Sequence, residues 1–355
     1  MMRVGIRGSI PARRRIRLIA VLLLCSAAAG AAASAATGVE GSPRAPARVG
    51  AMRIGGVFCA CHLSVYVAWK QGFLERRGVR VTGFEFTAGG SRTYAGVASG
   101  RLDAGAATVE TLVRGRTAGP RVVAIANLYP EPWALSVRRD ERSSIRRPRD
   151  LRGRTIGVSS IGSGSWAFLV ALLGRSGLGA GDVRIVELGG LDQILSALRT
   201  GRVDAAVTWE PGTSAAALSR SAAPIVNLLD RSTARRFFGS RVSMSQVLAV
   251  RADLARGRPR LARALVAALA DADRWLRRHS PARAARVLRR IAPRSISSAS
   301  LVAAARATMR IQPRSPRLTR RGYRTSTRLL LQTGALERPA AFADVVDCRF
   351  AGCGR

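Results

Sequence analysis

A five-residue phrase occurs twice in the chain, as Gly100-Arg101-Leu102-Asp103-Ala104 and as Gly201-Arg202-Val203-Asp204-Ala205, 101 residues apart. Its surroundings repeat with it. Each copy follows an apolar stretch at helical spacing (Tyr94, Val97 and Ala98; Ile194, Leu195 and Leu198) and runs into a short strand-like segment, Ala104–Thr108 or Ala205–Thr208. Upstream of each helix lies another strand candidate, Val79–Thr87 or Val183–Leu188, followed by Gly89-Gly90 or Gly189-Gly190. A strand, glycine loop, helix, glycine and strand made twice calls for two similar α/β halves, with a cleft between them where a ligand binds.

At 355 residues the chain is long enough for two such lobes. Residues 1–35 have the order of an export signal: Arg3, Arg7, Arg13, Arg14, Arg15 and Arg17 without acids, the apolar run Leu18–Leu24, and Ala33-Ser34-Ala35 as a cleavage site. The alternative is an uncleaved anchor, since residues 18–36 are apolar or small. Cys25 after Leu22-Leu23-Leu24 is similar to a lipoprotein box, with leucine where a small residue is wanted, and Arg14-Arg15 hints at twin-arginine export. Residues 36–50 read as a linker. Lobe 1 then runs from 51 to 138, and the charged stretch Arg138–Arg149 reads as a crossing into lobe 2 at 139–240. A strand near Ser243–Val250 returns to lobe 1, which closes with Arg/Ala/Leu-rich helices to about 340 and a cysteine-containing tail, 341–355.

The formal charge of +38 raises the question of nucleic acid. Removing the leader's six arginines leaves +32, but Lys70 is the sole lysine, which points to a coding bias, and the arginines are scattered among few aromatics. Base-stacking alternation is missing, so nucleic acid is excluded as a partner and an anionic small molecule is favoured. Beyond the leader, Cys59, Cys61, Cys348 and Cys353 allow three pairings in an oxidising compartment. One of them would join Cys348 to Cys353 and staple the tail, leaving Cys59 and Cys61 near one another in an early loop.

Three Gly/Ser loops sit at strand-to-helix turns: Thr87 to Ser91 with Gly89 and Gly90, Ser160 to Ser165, and Gly189-Gly190. Free N–H groups at a helix start, backed by the helix dipole, attract anions, and Ser163 and Ser165 add hydroxyl donors. The bland reading is helix capping. Gly162-Ser163-Gly164-Ser165-Trp166-Ala167, with Glu187 twenty residues on, also fits a dinucleotide fingerprint. Bulky Trp166 and the export leader stand against it. Cys59-Ala60-Cys61-His62 offers metal ligands, with a disulfide as the alternative. Ser163 lacks the glycines of a nucleophile elbow. Trp209-Glu210 follows the second repeat where Thr108 and Glu110 follow the first; Glu210 is placed to accept from an amine.

From Met52 to about Trp275 the chain resembles the substrate-binding proteins of ABC importers in the nitrate/sulfonate/taurine group, which includes binders of thiamine-pyrimidine precursors. The phrases that carry the resemblance are Tyr66-Val67-Ala68, Gly72-Phe73-Leu74, Ala88-Gly89-Gly90-Ser91, Asp150-Leu151-Arg152-Gly153-Arg154, and the second repeat through Trp209-Glu210-Pro211. The resemblance implies a bilobal, periplasmic-binding-protein-like (type II) α/β fold, two lobes joined by crossing strands. It implies closure on a small ligand, no catalysis, no cofactor, and delivery by a monomer peripheral to the membrane to permease and ATPase subunits. By carry-over, His62, Ser64, Thr87, Gly89, Gly90, Ser91, Thr108, Glu110, Ser160, Gly162, Ser163, Gly164, Ser165, Trp166, Trp209 and Glu210 line the site. The expected ligand is a sulfonate, taurine or nitrate, with an aminopyrimidine next. An exported metal-dependent enzyme and a receptor for a signalling partner are the rival classes.

Overall fold

The computed structural model describes residues 49–116, 121–240 and 242–354. The export-signal, anchor and lipidation expectations, and all but the end of the linker, lie outside the described residues. Ten strands make two five-stranded sheets: β1 Gly50–Gly56, β2 Val79–Phe86, β3 Ala104–Thr108, β4 Val122–Tyr129, β5 Ala134–Arg138, β6 Thr155–Val158, β7 Arg184–Glu187, β8 Ala205–Thr208, β9 Ala222–Asn227 and β10 Gln246–Arg251. The orders are β2-β1-β3-β10-β4 and β7-β6-β8-β5-β9. These are the same sheet built twice. In each, four strands run one way and one, β10 or β5, runs antiparallel between two neighbours after arriving from the other lobe. Central strands such as β3 and β10 are buried almost throughout, as strands covered on both faces must be.

The repeated phrase performs one structural task twice. Asp103 accepts the N–H of Arg53 at 2.8 Å and donates its own N–H to the Arg53 carbonyl at 2.9 Å. Asp204 does the same with Thr155 at 2.8 and 2.9 Å. Each aspartate thus fixes the incoming strand of its lobe beside the outgoing one. The glycine before it holds a left-handed backbone (φ 79° at Gly100, 74° at Gly201), which ends the helix and turns the chain into the strand. Above Gly100 lies the Arg251 guanidinium and above Gly201 that of Arg138. The two arginines close β10 and β5 and pair with Asp253 and Asp140.

The boundary between lobes differs from the sequence expectation. β5 pairs with β8 and β9, so Ala134–Arg138 already belongs to the second sheet, and the chain crosses at residues 130–133. The charged stretch after Arg138 lies on the second lobe, where Glu141 receives Arg154. The chain returns between β9 and β10, ahead of Gln246, where the strand near Ser243–Val250 was expected. After β1 the chain forms two helices, Leu63–Lys70 and Phe73–Arg76, divided at left-handed Gly72. Helix Pro259–Arg278 packs its apolar face on Leu63–Lys70, while Ser298–Met309 reaches the second lobe at helix Gly212–Leu218. Disulfides join Cys59 to Cys61 and Cys348 to Cys353, and Cys353–Gly354 pairs with Leu318–Thr319. Among the described residues no helix is long and apolar enough to cross a membrane.

Candidate functional site

The carboxyl ends of β1, β3, β6 and β8 face one another across the lobes, the place where open α/β sheets bind ligands. A cavity lies there, walled by Cys59, Cys61 and His62 after β1, Gly90 and Thr108 from the first lobe, and Ser159, Ser163, Gly164 and Trp209 from the second. Trp133 from the crossing and Gln246 from β10 complete it. Its free space is about 20 Å³ for the centre of a water-sized sphere, room for about one water. Two helices, Gly90–Ala98 and Gly164–Arg175, begin at this wall from opposite sheets. The first has Gly89 as its N-cap and no side-chain cap, so its leading N–H groups are left to other acceptors.

The second helix starts inside a cluster of hydroxyls. Ser163 lies 3.1 Å from Ser159 and 2.9 Å from Ser165, and Ser159 lies 2.9 Å from Ser165. Ser163 also donates to the Ser160 carbonyl at 2.6 Å, so the serine-rich loop is held by its own side chains. Glu187 accepts the Ile161 N–H and staples the loop from β7. That contact gives the acid of the dinucleotide-like pattern a structural task.

His62 is buried, with Nδ1 3.0 Å from the Val57 carbonyl and Nε2 3.0 Å from the Gln246 amide. Burial pushes its pKa down to about 4, against both hydrogen bonds, so the ring is neutral near pH 7. Both partners, the Val57 carbonyl and Gln246 Oε1, are acceptors, so a neutral ring with its single N–H donates to one of them at a time, while the Gln246 amide nitrogen donates to Ser245 at 3.3 Å. No lysine, arginine, aspartate or glutamate walls the cavity. Across the lobes the Arg114 guanidinium lies 4.8 Å over the Trp166 ring.

Contacts between the lobes surround the cavity. The Trp209 indole donates to the Phe58 carbonyl at 2.8 Å, and the Ala60 N–H donates to the Glu210 carbonyl at 2.7 Å. Ser91 donates to the Ile161 carbonyl at 3.3 Å. Trp133 meets Trp209 edge-on at 6.0 Å. The Cys59–Cys61 disulfide therefore closes the turn whose backbone grips the second lobe. With the two sulfurs bonded to each other, a thiolate metal site is not formed, and no group of three or more His, Cys, Asp or Glu suited to a metal occurs among the described residues.

Of the expected site residues, His62, Gly90, Thr108, Ser163, Gly164 and Trp209 meet at the cavity. Gly89, Ser91, Ser160, Gly162, Ser165 and Trp166 shape the loops around it, and Thr87 bonds Thr93 at 2.6 Å just behind. Three others are engaged elsewhere. Ser64 donates to Asp273 at 2.6 Å inside the first lobe, and Glu210 accepts the N–H and hydroxyl of Ser214 at 3.1 and 2.9 Å, capping its own turn. Glu110 is buried toward Glu131 at the crossing, one of its oxygens without a partner. Burial raises both carboxyls, and the charge of Glu131 raises Glu110 further. The sequence reading missed Cys59, Cys61, Trp133, Ser159 and Gln246 as wall residues. Gln246 carried a usable signal as the polar residue opening the apolar run Val247–Val250.

Two mirrored α/β lobes, joined by crossing segments and meeting over one cleft, define the periplasmic-binding-protein fold. The chain belongs to the NMT1/THI5-like family, whose model matches residues 60–284. No curated protein matches it in sequence. A solved structure from Bordetella bronchiseptica RB50 is similar at a TM-score of 0.74 and 22% identity, covering 84% of this chain and 94% of that one. The alkanesulfonate-binding protein of Xanthomonas axonopodis pv. citri bound to MOPS gives 0.66 and 21%, with 83% and 97% covered. The periplasmic nitrate-binding protein of Synechocystis PCC 6803 gives 0.61 and 12%, with 74% and 71% covered.

Proposed function

We propose that the chain is the exported solute receptor of an ABC importer, taking a small anion of the sulfonate or nitrate class in the cleft and handing it to a membrane permease. The observation that carries this reading is the convergence of two helix N-termini, Gly90–Ala98 and Gly164–Arg175, from opposite lobes on one cavity whose wall holds no acid. Hydroxyls of Thr108 and Ser159 supply further donors. The small free space implies that the lobes part about the crossing segments to admit a ligand and then close on it. With the Glu210 carboxylate held by Ser214, the amine of a taurine-like ligand has no acid waiting for it, so plain anions are favoured over zwitterions. The chain acts as a binder: Ser163 has no base beside it, and the His62 nitrogens are taken by Val57 and Gln246.

A second reading, a flat neutral heterocycle such as an aminopyrimidine, is favoured by the neutral His62–Gln246 pair beside Trp133 and Trp209. A thermal-shift screen with methanesulfonate, MOPS, taurine, nitrate and an aminopyrimidine separates the two. A ligand at one hundred times its Kd adds about 2.7 kcal/mol. Stabilisation by an anion, with the anion recovered unchanged, supports the first reading. A shift with the pyrimidine alone supports the second, and conversion of the added compound contradicts both.

A further inference from the structure

Away from the cleft, a surface pocket of about 520 Å³ gathers Arg175, Arg236, Arg321, Arg324 and Arg328 over a floor of Phe237 and Phe238. Twelve residues line it and none is acidic. At the chain's own share of basic residues, 59 in 355, about two basic residues are expected there. Arg321, Arg324 and Arg328 stand at three- and four-residue spacing on one face of helix Arg320–Gln332, which contains no acid, so their repulsion is unrelieved along the helix. Arg175 and Arg236 come from the last turns of Gly164–Arg175 and Arg231–Phe238, and Arg175 donates to the Arg236 carbonyl at 3.4 Å. Those two helix ends bring about half a negative charge each, leaving roughly four positive charges unmatched. None of the ion pairs among the described residues involves any of the five.

We propose that this pocket is a second ligand site that holds a small, multiply charged anion of the phosphate class. Planar guanidinium forks match phosphate oxygens two at a time, and five forks around one concavity suit an anion with more than one phosphoryl group. The aromatic floor removes water from one side of the pocket and strengthens each contact. Three arginines sit on a C-terminal helix and two on helices of the second lobe, so a bound anion ties those elements together.

Calorimetric titration of the full chain with inorganic pyrophosphate and with orthophosphate, at about 0.15 M salt to suppress diffuse attraction, tests the site. One pyrophosphate binds per chain, and orthophosphate binds more weakly. The variant Arg321→Gln/Arg324→Gln/Arg328→Gln weakens pyrophosphate by about tenfold or more, and Arg324→Gln alone weakens it by a smaller factor. A control, Arg260→Gln/Arg263→Gln/Arg286→Gln, removes the same charge from exposed positions elsewhere and changes the affinity by less than about threefold. Equal losses in the two triple variants overturn the proposal, because net charge then explains the binding. Attachment to phosphatidylglycerol vesicles without saturable pyrophosphate binding overturns it as well.

Discussion

Gly89→Ala adds one methyl group where the lobes touch. A Cβ on Gly89 comes 2.5 Å from the Ser160 hydroxyl, 3.2 Å from Ser160 Cβ and 3.6 Å from the Ser159 hydroxyl, all across the cleft. The backbone there is extended (φ −179°, ψ 162°), so alanine brings no strain. Within the first lobe the cost is the preference of an N-cap for glycine over alanine, about 0.5–1 kcal/mol. Across the cleft the overpacking costs about 1–3 kcal/mol, and only when the lobes are closed. At 1.4 kcal/mol per decade, the open-to-closed ratio rises about 5- to 150-fold. Small-angle scattering of the unliganded chain reads this as a larger radius of gyration, and the affinity for the anion found by thermal shift falls in proportion to the closed fraction, by at most the same factor. Gly83→Ala is the control, since its Cβ meets nothing within 4 Å. Equal dimensions and equal affinity in the two variants refute the idea that closure brings Gly89 against Ser160.

Further expectations concern pH and the repeat. The folded pKa of His62 lies at about 4, below the ordinary 6.5, so its contribution is complete above about 6.5 and is lost as pH falls toward 4. The loss is on the order of 3 kcal/mol, and chemical denaturation of His62→Asn between pH 7 and 4 shows a correspondingly flatter profile. Glu110 and Glu131 shift the other way: with folded values raised, the protonated pair is favoured at low pH, and stability declines as pH rises above the ordinary glutamate range, through about 7 for Glu131. Glu110→Gln therefore melts higher than the parent at pH 8, and the gain disappears near pH 5; a gain that is the same at both pH values contradicts the raised Glu110 carboxyl. Asp103→Ala and Asp204→Ala each remove a carboxylate bond to a strand N–H and cost about 1.5–3 kcal/mol in denaturant titrations. Their effects are similar in size and add in the double variant, because the sites lie in different lobes.

The doubled architecture was legible because its signals are local. The left-handed glycine, the aspartate and the small apolar strand follow one another in sequence, and β3 and β8 fall on the segments read from it. The crossing was not legible. A charged stretch after Arg138 looks like a connection, whereas the true one is short and buries Glu131 and Trp133; sheet membership of β5 is decided by pairing with β8, some seventy residues on. The same limit governs the site. Ser64 looks free at the start of a helix until Asp273 arrives from 209 residues away, and Gln246 becomes a wall residue through His62, 184 residues earlier. Glu210 was misread for a nearer reason, since Ser214 one turn on takes its carboxylate.

The central claim is that an anion is held by two helix N-termini at once. Nitrogen-15 NMR of the backbone amides of Gly90, Ser91, Gly164 and Ser165 during titration with methanesulfonate or nitrate tests it directly. The account predicts downfield proton shifts at the starts of both helices that saturate together with a single Kd. Shifts confined to one helix, or saturable binding that leaves all four amides unmoved, contradict it.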